Sequence, residues 1–200
     1  MSGIRTAYKT LGNYCVAVAT GDIAAGMAAN GELFQFRWTN TTNRGIVYEI
    51  GVTGMRASTA FAVGNIDLKA TTARAWTAAG TGGTALTLTG DEATLRTDMG
   101  TALATARVST TAALGAGTKT LDTQDLGLIT THSSAGWNGA TPLIGSIYLP
   151  TTILFKADMV SSESPLILEA EEGFVVRGTV PATGVWNLGV VVKWIEALNI

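Results

Sequence analysis

Few side chains in this sequence have the types and spacing that suit catalysis. His132 is the single histidine, and Ser133 follows it directly. With any carboxylate these two residues could compose a catalytic triad, yet the neighbouring sequence has no nucleophile elbow to fix their geometry. We therefore expect His132 to be a solvated loop residue. The sequence predicts no catalytic residue and no enzymatic activity.

Metal and cofactor chemistry has equally little support in the residue types. One histidine and one cysteine, Cys15, exclude a zinc site built from histidine and cysteine ligands of this chain. Carboxylates cluster at Asp122–Asp125 and Glu169–Glu172, but neither cluster has the density of oxygen ligands that a tight calcium site needs. We expect Glu169 and Glu171 to lie on the solvated face of a strand that ends at the surface. Gly80–Thr84 is glycine-rich but lacks the Gly-Lys-Ser/Thr ending of a phosphate loop, so no cofactor is predicted.

The composition is typical of a protein that associates with other proteins. Hydrophobic residues make up 46 % of the 200 residues and can bury a full core. Charged residues make up only 14 %, below the usual quarter, and the net charge is −2. Because there is no basic footprint, nucleic acid is not an expected partner. A weakly charged, apolar surface instead favours burial against neighbouring protein.

Three local features of the sequence concern secretion, disulfide formation and membrane insertion. Cys15 lies in an apolar run and has no second cysteine, so we expect a buried, inert thiol. Arg5 and Lys9 precede an apolar patch that is too short and too interrupted for a signal peptide. The uncharged stretch 126–155 is full of glycine, serine and threonine, so no membrane span is expected.

The elements that would position these residues are mostly β-strands. The clearest lie near the end of the chain, where turn residues separate the extended runs 166–168, 174–180 and 185–195. In the third run alternate apolar residues share one face, and these are Trp186, Leu188, Val190, Val192 and Trp194. We interpret the second and third runs as a β-hairpin that closes an all-β sandwich.

Further strands are expected in the first third of the chain. Strict alternation predicts a strand over 32–39, with Phe34, Phe36 and Trp38 facing the core. Another strand is predicted over 45–55. One side of this strand is expected to carry Ile46, Tyr48, Ile50 and Val52. In the less regular middle, Asp91–Met99 is the best helix candidate, because acidic residues open it and a glycine follows it. The stretch Leu126–Pro142 resembles a loop.

Together these elements predict an antiparallel, jelly-roll-like β-sandwich with one short helix and long inserted loops. In a jelly roll, strands distant in sequence pair in one sheet, so the strands of the first third would meet those of the last quarter. Residues 1–13 are predicted to form an N-terminal arm, and 14–200 a single sandwich domain. Within that domain, residues 78–142 would form an elaborated insertion.

Three stretches of the chain resemble small virion structural proteins that are encoded near the head genes of tailed bacteriophages. The longest runs from Glu172 to Trp194 and contains EGFVVR, TVPATGVW and GVVVKW. LFQFRW, which starts at Leu33, and LRTDMG, which starts at Leu95, look similar to other stretches of that group. The resemblance touches the first, middle and last thirds of the chain and carries no catalytic motif.

The resemblance implies a virion protein of the capsid decoration (cement) type. Such a protein would be made in the host cytoplasm and would bind the major capsid protein on the outside of the capsid, as a homotrimer that bridges capsomers. Its candidate contacts are Arg5, Tyr8 and Lys9 in the arm, and Trp137 in a loop. A frayed terminus is the alternative for the arm, and a loop that packs on the sandwich or on a neighbour is the alternative for Trp137.

A different class of function fits the same fold. A tail- or fibre-associated module that binds a receptor or glycan would use the long loops 78–90 and 127–142. Trp76, Trp137 and Tyr148 would then form its site, with Trp137 as the aromatic best placed for sugar stacking.

Overall fold

The computed structural model describes residues 10–24, 27, 30–59, 61–89, 92–96, 98–133, 152–157, 164–181 and 184–198. Over these residues the chain is all-β, with eleven strands and no helix. The strands form a five-stranded sheet, called sheet A here, and a six-stranded sheet, called sheet B. Both sheets are antiparallel, which is consistent with the predicted β-sandwich.

Each sheet combines strands from distant parts of the chain. In spatial order, sheet A contains β1 (Thr10–Ala19), β11 (Trp186–Leu198), β3 (Asn43–Ala57) and β8 (Thr152–Lys156), and β9 (Leu166–Leu168) also pairs with β3. Sheet B contains, again in spatial order, β5 (Thr84–Leu86), β6 (Ala104–Val108), β2 (Gly31–Trp38), β10 (Glu172–Thr179), β4 (Gly64–Ala78) and β7 (Thr118–Ser133). Strands of the first third therefore pair with strands of the last quarter, as predicted.

A single large hydrophobic core lies between the inner faces of the two sheets. Aromatic rings connect the sheets, because Phe36 of β2 stacks on Phe174 of β10 and also meets Trp194 of β11 edge-on, with ring centroids 5.2 and 5.1 Å apart. Tyr14 of β1 stacks on Trp194 at 5.4 Å. The predicted core aromatics are confirmed as buried, and they are Phe34, Phe36, Trp38, Trp186 and Trp194.

For the last two strands, the sequence predicts the buried side chains correctly but not the strand pairing. In β11 the predicted apolar face is buried and the alternate residues are half-buried, so its alternation is confirmed. The predicted hairpin is wrong, because β10 lies in sheet B and β11 lies in sheet A. A two-residue period determines which side chains share a face, but it does not name the neighbouring strand.

Strand β3 departs from simple alternation. Trp194 pairs with Val47, whereas the preceding Lys193 pairs with Glu49, so Tyr48 is the extra residue of a β-bulge. Val47 consequently faces the core, and Ile46 lies on the outward side opposite Ile195. The predicted single face of Ile46, Tyr48, Ile50 and Val52 is therefore wrong.

The helix predicted over Asp91–Met99 is not found among its described residues, 92–96 and 98–99. The backbone there covers the free edge of β1 instead. Cys15 N–H donates to the Ala93 carbonyl at 2.8 Å, and Thr94 forms an isolated bridge with Tyr14. Covering a strand edge satisfies backbone groups that would otherwise remain unpaired, and this competes with helix formation.

Two predicted boundaries also differ from the structure. Strand β1 begins at Thr10, so residues 10–13 of the predicted arm belong to sheet A, while residues 1–9 lie outside the described part. Strand β7 continues to Ser133, so the first eight residues of the predicted loop 126–142 are strand, and the rest of that loop is not described.

Candidate functional site

The outward side of sheet A, called face A here, is a regular array of short cross-strand rows. Strand pairing aligns Ala17, Val191, Gly51 and Ile153 in one row. A second row consists of Asn13, Ile195, Ile46 and Ile167. Ile153 and Ile167 are 47 % and 41 % exposed, so large apolar side chains reach the surface here. Both rows consist of apolar or small residues apart from Asn13, but Ile46 and Gly51 are buried, so the other members of the rows form the surface.

A polar row lies between the two apolar rows of face A. It contains Cys15, Lys193, Glu49 and Lys156, and the Lys193 ammonium lies 2.7 Å from a Glu49 carboxylate oxygen. The hydrogen bond to Glu49 raises the pKa of Lys193. Burial raises the pKa of the half-buried Cys15 thiol, whose predicted full burial is thus only partly met. The Lys193–Glu49 ion pair therefore separates the two apolar rows of face A.

The outward side of sheet B, called face B here, differs because much of it is covered by its own chain. Ala75 has a left-handed backbone, with φ 48°, at the point where the register between β4 and β7 shifts. Trp76 then packs on Ala73 and Val175 in a small second core, with its indole N–H donating to the Ala78 carbonyl at 3.0 Å. Because Trp76 is fully buried, its expected place in the glycan site of the alternative function is wrong.

A buried ion pair lies beside Trp76. The Lys119 ammonium is 2.9 Å from Glu32 Oε2 and 4.6 Å from the centroid of the Trp76 ring. Gln35 Nε2 donates to the same carboxylate oxygen at 2.6 Å, and Gln35 Oε1 accepts from Gly80 N–H at 3.2 Å. The Lys119 and Glu32 side chains are only 2 % and 8 % exposed. This arrangement joins β2, β7 and the glycine-rich loop after β4.

The two aspartates considered for calcium, Asp122 and Asp125, have other partners in the structure. Asp125 accepts from Thr71 at 2.5 Å and from Arg177 at 3.1 Å, and it lies 3.7 Å from Lys69. Asp122 pairs with a neighbouring arginine of β4 at 3.0 Å. In the described ranges no three histidine, cysteine or acidic side chains come together as metal ligands would.

One acidic side chain, Glu196, is buried in the interior at the end of β11. Leu103 N–H and the Trp194 indole N–H donate to its Oε1 at 2.8 and 3.1 Å, while its Oε2 has no hydrogen-bond partner in the described part of the chain. Burial raises the pKa of this carboxyl, and the hydrogen bonds from Leu103, Trp194 and Ala104 oppose that rise. Burial, with Glu196 as the second cause, raises the pKa of Tyr14 to about 12.

The residues singled out from the sequence have different outcomes. His132 lies in strand β7 rather than in a loop, but it is exposed as predicted, with its Nδ1 2.8 Å from Asn65 Oδ1. All four candidate contacts, Arg5, Tyr8, Lys9 and Trp137, lie outside the described residues. Tyr148, which the alternative function also places in its site, lies outside them as well. Faces A and B were not foreseen, because each is assembled from strands whose pairing the sequence does not state.

Comparison with known proteins adds no family to these observations. A scan against protein-family models found no match, and a search of curated proteins also found none. Among the described residues there is no helix with the length and apolar character needed to cross a membrane.

Proposed function

We propose that this protein is a structural virion protein that binds the outside of a tailed-bacteriophage capsid and stabilises the shell by bridging capsomers. Face A is the observation that carries the proposal. Its two apolar rows offer a broad area whose burial against another protein is favourable, and its Lys193–Glu49 pair supplies a polar contact within that area. The resemblance of the three sequence stretches to virion proteins points to the same class.

We also propose a jelly-roll topology for the sandwich. Four pairings relate the two halves of the chain as one long folded-back hairpin, and these are β1 with β11, β2 with β10, β3 with β8, and β4 with β7. The pairings of β11 with β3 and of β10 with β4 then roll that hairpin into two sheets. Jelly rolls are frequent in viral capsid domains, and β5, β6 and β9 are additions to this plan.

Bridging requires two contact surfaces on one molecule, and the two faces of this sandwich meet that requirement. Face A would contact the major capsid protein through apolar side chains, and face B would present charged groups to a second neighbour. Copies arranged around a threefold position would form a homotrimer. Weak contacts repeated over a symmetric shell add through avidity, so each contact can be small.

Co-sedimentation with phage heads that lack this protein tests the proposal. We expect saturable binding of the wild-type protein and increased heat resistance of the heads, because a ligand of the assembled shell stabilises it. Val191→Asp places a charge in an apolar row of face A and should weaken binding about tenfold. Val63→Asp makes the same substitution at a side chain that is 56 % exposed between β3 and β4, outside both sheets, and should leave binding unchanged.

The opposite results would redirect the proposal. Absence of the wild-type protein from sedimented heads, with binding to isolated tails or host cells instead, would favour the receptor-binding module. Equal binding by Val191→Asp and the wild-type protein would remove face A from the contact, although the protein would remain a shell component. Thermal unfolding of both variants controls for loss of the fold.

A further inference from the structure

The cations of sheet B fall into two groups. Its strands contain six lysine and arginine residues, and four of them lie within 3.7 Å of a carboxylate oxygen, namely Lys69, Arg74, Lys119 and Arg177. The other two are Arg37 of β2 and Arg107 of β6, and neither forms an ion pair with a carboxylate of the described chain. These two guanidinium groups keep their full charge available to an external anion.

Strand pairing places these two arginines next to each other. Arg37 is opposite Thr105, and Arg107 is opposite Gln35, so the arginines are diagonal neighbours on the outward side of sheet B. Diagonal neighbours in antiparallel strands are about 7–8 Å apart, a spacing that one carboxylate can span between two flexible side chains. No sequence pattern shows this relation, because it depends on the pairing of β2 with β6.

A shallow pocket of about 80 Å³ lies between them. Its walls include both arginines, Gln35, Thr105 and alanine methyl groups. Arg37 Nη2 donates to the Thr77 carbonyl at 3.1 Å and Arg107 Nη1 donates to the Gly82 carbonyl at 2.6 Å, so backbone carbonyls hold each guanidinium at the pocket. The Arg37 Nε–H is buried and has no acceptor within the described ranges.

These observations define a site for a planar anion. A carboxylate bound in the pocket would contact both guanidinium groups and neutralise their two charges. Arginine binds carboxylates in a bidentate manner, and the apolar wall of the pocket lowers the local dielectric constant around such a pair.

We infer that the pocket between Arg37 and Arg107 binds an aspartate or glutamate side chain of the protein to which this chain docks. The identity of that partner rests on the proposed function, whereas the carboxylate specificity rests on the pocket alone. The site lies on face B and is therefore separate from the apolar rows of face A. It supplies the second contact that bridging requires.

Charge-removing variants test the inference in the head-binding assay. Arg37→Gln and Arg107→Gln keep much of each side-chain stem and should each weaken binding about tenfold at low salt. Arg96→Gln makes the same charge change at a side chain that is 73 % exposed outside sheet B, and it should bind like the wild-type protein. Raising the salt concentration should reduce wild-type affinity more than that of the two pocket variants.

A direct measurement with acetate as the probe is independent of the shell. Sodium acetate should shift the NMR signals of the Arg37 and Arg107 Nε–H groups, and sodium chloride at the same concentration should not. The Arg96 signal should stay constant in both salts. If Arg37→Gln fails to fold, Arg107→Gln carries the test, because its one described hydrogen bond is to a loop carbonyl.

The outcomes separate the two proposals. Wild-type binding to heads with unchanged affinity of both pocket variants would overturn the inference and leave the proposed function intact. Acetate shifts without any wild-type binding to heads would uphold the carboxylate pocket and overturn the proposed function. Equal shifts with acetate and chloride, or pocket-dependent binding to acidic host glycans instead of heads, would overturn the inference.

Discussion

The two outer faces of the sandwich use charge in opposite ways. The ion pair Lys193–Glu49 lies between the two apolar rows of face A, and its side chains are 36 % and 18 % exposed. On face B the Lys119–Glu32 pair is almost fully buried beneath the chain's own loops, with Gln35 completing its hydrogen bonds. Large apolar side chains thus remain exposed on face A, whereas much of face B is covered by its own chain.

This difference separates structural charges from charges that are available to partners. A buried pair that is satisfied within the chain holds strands and loops together, and its loss affects folding. An exposed pair contributes little to stability because water screens it, so its main effect is on recognition. Arg37 and Arg107 are the exception on face B, since no carboxylate among the described residues forms an ion pair with them.

The largest effect is expected from breaking the buried pair of face B. Glu32→Gln leaves the Lys119 ammonium buried without its counter-charge and should lower the free energy of unfolding by about 3 kcal/mol. The Ala116 carbonyl and the Trp76 ring still contact Lys119, which places the cost at the low end for such pairs. Urea unfolding monitored by tryptophan fluorescence measures this change.

A double variant provides the control for that experiment. Glu32→Gln combined with Lys119→Met removes both charges, so it should be less destabilised than Glu32→Gln alone. Equal destabilisation of the single and double variants would show that the pair does not behave as a buried, coupled unit.

A smaller effect is expected from the interior carboxyl of Glu196. Its pKa in the folded protein is raised above the ordinary value of 4.5, so the folded state binds this proton more tightly than the unfolded state does. The resulting stability is fully present below the unfolded-state pKa and is lost as pH rises through the folded-state pKa. Glu196→Gln should remove this dependence, and urea unfolding from about pH 4 to about pH 8 measures it.

Other groups also titrate in this range, so the comparison is between the wild-type protein and the variant at each pH. The stability of the wild-type protein relative to Glu196→Gln should fall as the pH increases above 4.5. A constant difference across the whole range would contradict a raised pKa for this carboxyl.

The smallest effect is expected from the ion pair of face A. Glu49→Gln removes the partner of Lys193 and should lower the free energy of unfolding by about 0.5 kcal/mol, since the pair is partly solvated. The same urea experiment, with Glu32→Gln as the comparison, checks it. A loss as large as that of Glu32→Gln would mean that the two faces do not differ in the way described.

Strand content and side-chain facing are well predicted by the sequence, and strand partners are not. The alternation in β11 identified its buried residues because burial follows the two-residue period directly. The predicted β10–β11 hairpin is wrong because two strands that are consecutive in sequence can lie in different sheets. The predicted inward face of β3 is wrong because Tyr48 is a bulge residue, which shifts the alternation by one position. Neither glycine nor proline occupies that position, so the sequence does not indicate the bulge.

The outer faces are harder to predict than the fold. Trp76 was assigned to a sugar site, but the left-handed backbone of Ala75 turns it into a buried position on sheet B. Arg37 and Arg107 are seventy positions apart and become neighbours only through the pairing of β2 with β6. The candidate contacts Arg5, Tyr8, Lys9 and Trp137 lie outside the described residues, so they stay predictions.

The interleaved strand order has a consequence for how the protein is made. None of β1, β2, β3 and β4 pairs with another of these four, and their partners are β6 through β11. On the ribosome, the first 78 residues are therefore synthesised before any strand that can hydrogen-bond to them. Sheet A in particular requires β11, which lies between β1 and β3, so its assembly waits for the last described strand. The nascent chain exposes unpaired strand edges throughout this interval, and such chains fold slowly and depend on protection from aggregation.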